Sequence, residues 1–269
     1  MKRAQRLLTD SLGRTLEVPL EPKRIVSLCP SQTETLFALG LEGRIVGRTR
    51  YCIHPAPAVE KVPVVGGTKK VETTLISALE PDLIIAQKEE NTPDIVEKLS
   101  AIAPVYVTKV ESYEEALESI RRLGEVTGRL AQAQDLVHNI EAAFAPLRPA
   151  SPALPVLYLI WRKPYMAAGQ GTFIHSLLTR LGWTNVAATL PGRYPTLDGP
   201  ERLAPACVLL STEPYPFSEK HFPEVQRLWP EAQLVVVRGD YFSWYGVRMQ
   251  EAAPYLQRLQ QKLQRFALS

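Results

Sequence analysis

The chain has 269 residues, 45% hydrophobic and 22% charged, with a formal net charge of +3. That length allows one large or two medium domains, each able to bury its own core. The charge is too small, and the Lys and Arg residues too dispersed, for a surface that tracks phosphates, which excludes a nucleic-acid partner.

No stretch approaches the ~18 consecutive apolar residues of a spanning helix. The start, Met1-Lys2-Arg3-Ala4-Gln5-Arg6-Leu7-Leu8-Thr9-Asp10, has the basic opening of a signal peptide without its apolar segment, so these residues predict no visible export signal. Cys29, Cys52 and Cys207 make neither a CxxC pair nor a disulfide framework. Cys29 and Cys207 lie in or beside apolar runs and read as small core residues.

In chain order, Arg24-Ile25-Val26-Ser27-Leu28 is a short apolar run typical of a buried parallel strand. A helix from about Ser31 to Leu39 follows, with Ser31 as N-cap and Gly40 as its stop. Strand-like runs at 44–47 and 62–65 come next, then a helix around 72–79 and the strand Pro81-Asp82-Leu83-Ile84-Ile85-Ala86. A helix over 92–101 and the strand Val105-Tyr106-Val107 close the first half. The second half repeats this order: a strand at 156–160, a helix from Thr172 to Leu181 stopped by Gly182, and strands near 206–209 and 234–237. Strands alternating with helices imply parallel sheets covered on both faces. The fold class is therefore α/β, with two Rossmann-like lobes at 1–110 and 151–269, the second ending in a helix.

Between them, apolar residues recur at Tyr113, Ala116, Leu117, Ile120, Leu123, Thr127, Leu130, Val137, Ile140, Phe144 and Leu147. Spacings of three and four predict one amphipathic helix within 111–150, opened by Ser112 and Glu115 and ended by Pro146. The other reading is two helices broken near Gly128. One helix of that length would run roughly 50 Å and hold the two lobes apart around a largely preformed ligand cleft.

In such folds ligands bind at the loops after the strands. Trp161, Tyr165, Tyr194, Tyr215, Phe217, Tyr241, Phe242, Trp244 and Tyr245 fall in loop-like stretches and suggest a stacking surface for a bulky ligand. Arg48, Arg50, Arg162, Arg238 and Arg248 would add positive charge to the same rim. The chain lacks GxGxxG, GxxxxGK[ST], HExxH and GxSxG, which points away from an enzyme. Of the histidines, His138 and His175 lie on helices. His54 and His221 lie in loops without a second ligand at helical spacing, so no metal site is assigned to the protein's side chains.

Arg24 through Glu34 followed by Leu36-Phe37-Ala38-Leu39-Gly40, the run Leu79-Glu80-Pro81-Asp82-Leu83-Ile84-Ile85 and the start Thr9-Asp10-Ser11-Leu12-Gly13-Arg14 together resemble one family. It is the helical-backbone periplasmic binding proteins that serve ABC importers of cobalamin, haem and ferric siderophores, and the resemblance is nearest to the cobalamin branch. It implies a substrate-binding protein of the periplasm or cell envelope, monomeric, with no cofactor of its own and a metal carried inside the ligand. It implies ligand contacts at Tyr51, at Trp161 or Tyr165, at Tyr194 and at the pair Asp240-Tyr241, and the candidate ligand-binding set adds Lys69, Gln87, Arg162, Trp244 and Arg248. Lys69 and Gln87 stand where the cobalamin receptor has tryptophans, which leaves a corrinoid, haem and a ferric chelate all open. The resemblance also implies docking to a permease through Glu201, and through Glu72, since Thr74 occupies the expected position in the first lobe. A cytoplasmic chelate-binding or sensing module and a metallocluster enzyme using Cys29, Cys52 and His54 are the alternatives.

Overall fold

The computed structural model describes residues 4–199 and 202–267. The chain divides into two compact units. The first takes the residues up to Val110, then Glu114–Asn139 and the short return segment Tyr245–Arg248; the second takes Glu111–Tyr113, Ile140–Trp244 and the residues from Met249 on.

The first unit opens with a hairpin, β1 (Gln5–Thr9) and β2 (Thr15–Pro19). Its turn is built by Asp10, whose carboxylate accepts the backbone N–H of Leu12 and Arg14 at 2.9 and 3.0 Å. Gly13 supplies the left-handed φ of +79° that the turn needs. The Arg14 guanidinium pairs with Asp10 at 2.6 Å and donates to the Val105 carbonyl, and Ser11 N–H donates to Val107. The Thr-Asp-x-x-Gly-Arg run is thus a turn pinned to the strand at 105–108.

The main sheet of this unit has β3 (Ile25–Ser27), β4 (Ile45–Arg48), β5 (Leu83–Gln87) and β6 (Val105–Thr108) in the order β4-β3-β5-β6, all parallel. Val26, Leu28, Ile84, Ala86, Val105 and Val107 pack into one core with Ile95, Val96 and Leu99 of the helix Pro93–Ser100. Each of the valine, leucine and isoleucine side chains contributes roughly 1.5–3 kcal/mol on burial. Asp82 explains the Leu-x-Pro-Asp-Leu run: its carboxylate accepts the backbone N–H of Lys23 and Arg24, at 2.8 Å for the latter, and so sets the register of β3 against β5. The first helix, α1 (Pro30–Ala38), starts one residue earlier than the sequence predicts. Cys29 is the N-cap, and Pro30 takes the first turn, where its fixed φ suits helix initiation. The run at 62–65 forms an isolated bridge to Arg48 rather than a strand.

The remaining helices of the first unit are α2 (Thr73–Ala78), α3 (Pro93–Ser100), α4 (Tyr113–Thr127) and α5 (Leu130–Phe144), the last two being shared with the second unit at their ends. The expected single long helix is therefore corrected to two. Gly128, at φ +71°, and Arg129 close α4 with a Schellman motif: Arg129 N–H reaches the Gly124 carbonyl and Gly128 N–H reaches Glu125. A Cβ on Gly124 would lie 2.3 Å from the Cβ of Ala133. In a straight helix those positions stand about 13.5 Å apart, so the chain doubles sharply at the break.

The second unit is built on β7 (Leu154–Trp161), flanked in parallel by β10 (Cys207–Ser211) and β9 (Trp183–Asn185). Outside β10 lies β11 (Gln233–Val237), and β8 (Met166–Ala167) pairs antiparallel with the end of β7. Its helices are α6 (Phe173–Arg180), α7 (Phe222–Leu228), the short α8 (Asp240–Ser243) and the terminal α9 (Arg248–Ala267). Thr172 caps α6 through the His175 N–H, and Gly182 stops it at φ +75°. Leu157, Leu159, Val208 and Leu210 form the core with Val225 and Trp229. Among the described residues no helix is long and apolar enough to cross a membrane.

Candidate functional site

In the first unit the strand bodies are apolar, but Ser27, Arg48, Gln87 and Thr108 end them with buried polar groups. Arg48 donates to the carbonyls of Val59, Thr49 and Cys52, and so braces the loop that presents Tyr51 and Ile53, each 56% exposed. Gly67 leaves room for the Tyr51 ring, since a Cβ there would meet it at 3.3 Å. Gln87, read as a ligand contact, is instead buried: its side-chain oxygen accepts Glu90 N–H at 2.8 Å, and its own N–H is taken by Asn91. Lys69 is exposed, with its ammonium on the Glu89 carbonyl.

Arg248 is also corrected as a rim residue. It is 4% exposed and forms a buried ion pair with Glu34, so its charge is already neutralised. Beside it, burial pushes the Tyr245 phenol well above its usual range, with the neighbouring Cys29 adding to the effect. Thr33 and Thr49 hydroxyls lie against the Cys52 sulfur at 3.1 and 3.2 Å. Burial raises the Cys29 thiol to about 12 and raises Cys52 as well, so neither is an activated nucleophile.

In the second unit the exposed end of β7 carries the densest polar and aromatic group. Trp161 is 40% exposed, and its ring meets Tyr215 edge-on at 5.8 Å between centroids. The next residue, Arg162, donates from Nε to Glu224 at 3.0 Å, from Nη2 to the other Glu224 oxygen, and from Nη1 to the Tyr215 hydroxyl at 3.3 Å. Tyr165 donates to the same carboxylate at 2.6 Å. Hydrogen bonds from Arg162 and then Tyr165 lower the Glu224 carboxyl to about 2, and the bond to Glu224 raises Arg162. Both ring nitrogens of His221 are engaged, one with Ser218 and one with Tyr215 at 3.1 Å. Its place is therefore structural.

Tyr194 is 38% exposed, with the Arg193 guanidinium 5.9 Å from its ring centre. Asp240 pairs with Arg238 at 2.5 Å; Tyr241 is nearly buried, its ring 3.9 Å beneath the Arg238 guanidinium. Trp244 is half-buried. Glu72 is exposed at the head of α2, with no capping bond from its side chain, whereas Glu201 lies outside the described residues. The structure thus gathers Trp161, Arg162 and Tyr165 into one group with Tyr215 and adds Glu224. That glutamate sits on α7, 62 positions from its partner, so no local spacing announces it. Among the described residues, no three His, Cys, Asp or Glu side chains are arranged to hold a metal ion.

The family model described as "Periplasmic binding protein" matches residues 25–205. The chain belongs to the periplasmic binding protein family. Like other members of that family, it pairs two α/β units built on parallel sheets. It is 25% identical over 237 residues to the vitamin B12-binding protein of Vibrio cholerae, covering 87% of this chain and 83% of that one. Among solved structures it resembles the periplasmic haem-binding protein RhuT of Roseiflexus sp. RS-1, with TM-score 0.76, 20% identity, and 90% and 99% of the two chains covered. It also resembles the periplasmic vitamin B12 binding protein BtuF of Vibrio cholerae, with TM-score 0.74, 21% identity, and 92% and 99% covered. At those identities the likeness to solved structures concerns the fold.

Proposed function

We propose that this chain is the substrate-binding protein of an ABC-type importer, and that it captures a corrinoid, or another metal chelate such as haem or a ferric siderophore, without transforming it. The observation that carries this reading is Trp161. A large ring held edge-on by Tyr215 and still 40% open to solvent ends a central strand in a periplasmic binding protein. Leaving that much apolar surface wet costs about 25 cal/mol per Å², a cost that a flat or bulky ligand removes by stacking. Tyr194 is a further exposed aromatic of the same unit, and the first unit exposes Tyr51 on a loop of its own.

The named Vibrio relative, a vitamin B12-binding protein, supports a corrinoid as the first ligand to test. The metal arrives inside the ligand, and the chain needs no cofactor of its own. It acts in the periplasm or cell envelope and delivers its ligand to a membrane permease, with Glu72 on the first unit as one docking residue. Native mass spectrometry of the purified protein with cyanocobalamin, haemin and a ferric siderophore tests the reading. A one-to-one adduct with at least one of the three is expected; no adduct with any of them overturns it.

A further inference from the structure

Three arginines beside aromatic rings of the second unit are matched to carboxylates. Arg162 faces Glu224, Arg238 faces Asp240 at 2.5 Å, and Arg193 faces Glu111 at 3.6 Å. The first pair touches the group that holds Trp161, and its geometry is specific. Glu224 takes both Nε and Nη2 of Arg162, and Tyr215 takes Nη1. The planar fork by which an arginine grips a ligand carboxylate is therefore already filled. The acid is also the more open partner, its side chain 36% exposed against 21% for the arginine. What the pair shows to a ligand is therefore weighted toward the carboxylate.

We propose that Glu224 is a specificity-determining residue. By occupying Arg162 beside Trp161, it makes this surface accept electrically neutral, amide-decorated chelates and disfavour chelates whose edge carries carboxylates. This deepens the proposed function and rests on it. A neutral amide can still donate to the exposed Glu224 oxygen or accept from a tyrosine hydroxyl. A ligand carboxylate can replace Glu224 on Arg162 only by leaving Glu224 without its partner and setting a second carboxylate beside it. Lys163 also faces Glu224, but its side chain is exposed, and a hydrated ammonium is screened and offers no fixed fork.

The test compares haemin with its dimethyl ester, which keeps the ring and iron but loses both carboxylates, and with cyanocobalamin. Affinities are measured for the wild-type protein and for Glu224→Gln, an isosteric change that removes the charge. The wild type is expected to bind the diester more tightly than haemin, by about tenfold, and the variant to shrink that ratio toward one. Haemin binding at least as tightly as its diester in the wild type overturns the inference while leaving the proposed function standing. So does a ratio unchanged by Glu224→Gln. The wild-type comparison alone decides the matter if the variant does not fold. Binding of none of the three compounds overturns the proposed function and this inference together.

Discussion

Arg248 donates from Nε and Nη2 to the two carboxylate oxygens of Glu34, at 3.0 and 2.5 Å, across 214 positions of sequence. The side chains are 4% and 11% exposed. The pair fastens the return segment Tyr245–Arg248 onto α1. There, Val247 N–H also donates to Thr35, and Gly246, at φ +100°, lies where any Cβ would meet the Thr35 hydroxyl at 2.1 Å.

Breaking one side of this pair strands the other charge in the interior. Glu34→Gln or Arg248→Met is expected to cost about 3–5 kcal/mol, and the double substitution less than the sum of the two. Urea unfolding of the three variants measures this. Additive losses would show that the two side chains do not act as a pair.

The break between α4 and α5 depends on two glycines for different reasons. Gly124→Ala should destabilise by about 1–3 kcal/mol through the clash with Ala133, even though alanine is the better helix former. Gly128→Ala should cost about 1 kcal/mol or more, because the left-handed φ strains any residue with a Cβ. A continuous helix would instead be stabilised by both substitutions, so the sign of the shift in urea midpoint decides.

Glu224 makes acid stability partly local. Its carboxyl is lowered from 4.5 to about 2 in the folded chain, chiefly by the Arg162 hydrogen bonds. A lowered folded value means the contribution is fully present above pH 4.5 and is lost as pH falls toward 2. Its side chain is more than a third exposed, so screening keeps the effect small. Melting curves between pH 5 and 2 should show the wild-type advantage over Glu224→Gln vanishing across that window. A difference independent of pH would mean that Glu224 stabilises by packing alone.

The thiols make a simple prediction about reactivity. Cys29, Cys52 and Cys207 are 5%, 0% and 1% exposed, and burial raises all three thiols. At pH 8 an aromatic disulfide reagent should label none of them in the native protein and all three in urea. Rapid labelling of the native protein would place a thiol at the surface.

Much of the framework was legible because local chemistry fixes it. Gly40 and Gly182 stop helices by adopting φ of +71° and +75°, and Asp82 leads into β5 with bonds a carboxylate at that position is suited to make. The β1–β2 hairpin was missed because β1 and the start of β2 alternate exposed and half-buried residues and neither strand forms an apolar run. The central helix was over-extended because apolar spacing persists across Gly128, while the Schellman turn depends on one residue's φ. The site was legible only in part. Tyr194 is an exposed loop aromatic, as read, whereas Trp161, equally exposed, is the last residue of β7 and not part of a loop. Gln87 and Arg248 are buried by partners that spacing does not reveal, and Glu224 reaches Arg162 only through the packing of α7.

If Trp161 is the stacking surface, Trp161→Ala should weaken chelate binding by about 1–3 kcal/mol without altering the unfolding midpoint by a similar amount. Trp244→Ala should weaken it in the same direction. Unchanged affinity in both variants would move the binding surface elsewhere.

The most direct measurement is a calorimetric titration of the purified protein with cyanocobalamin, followed in parallel by tryptophan fluorescence. Saturable one-to-one binding at micromolar affinity or tighter, with quenching that Trp161→Ala reduces, is the predicted result. An absence of saturable binding to cyanocobalamin, repeated with haemin and a ferric siderophore, would contradict the account.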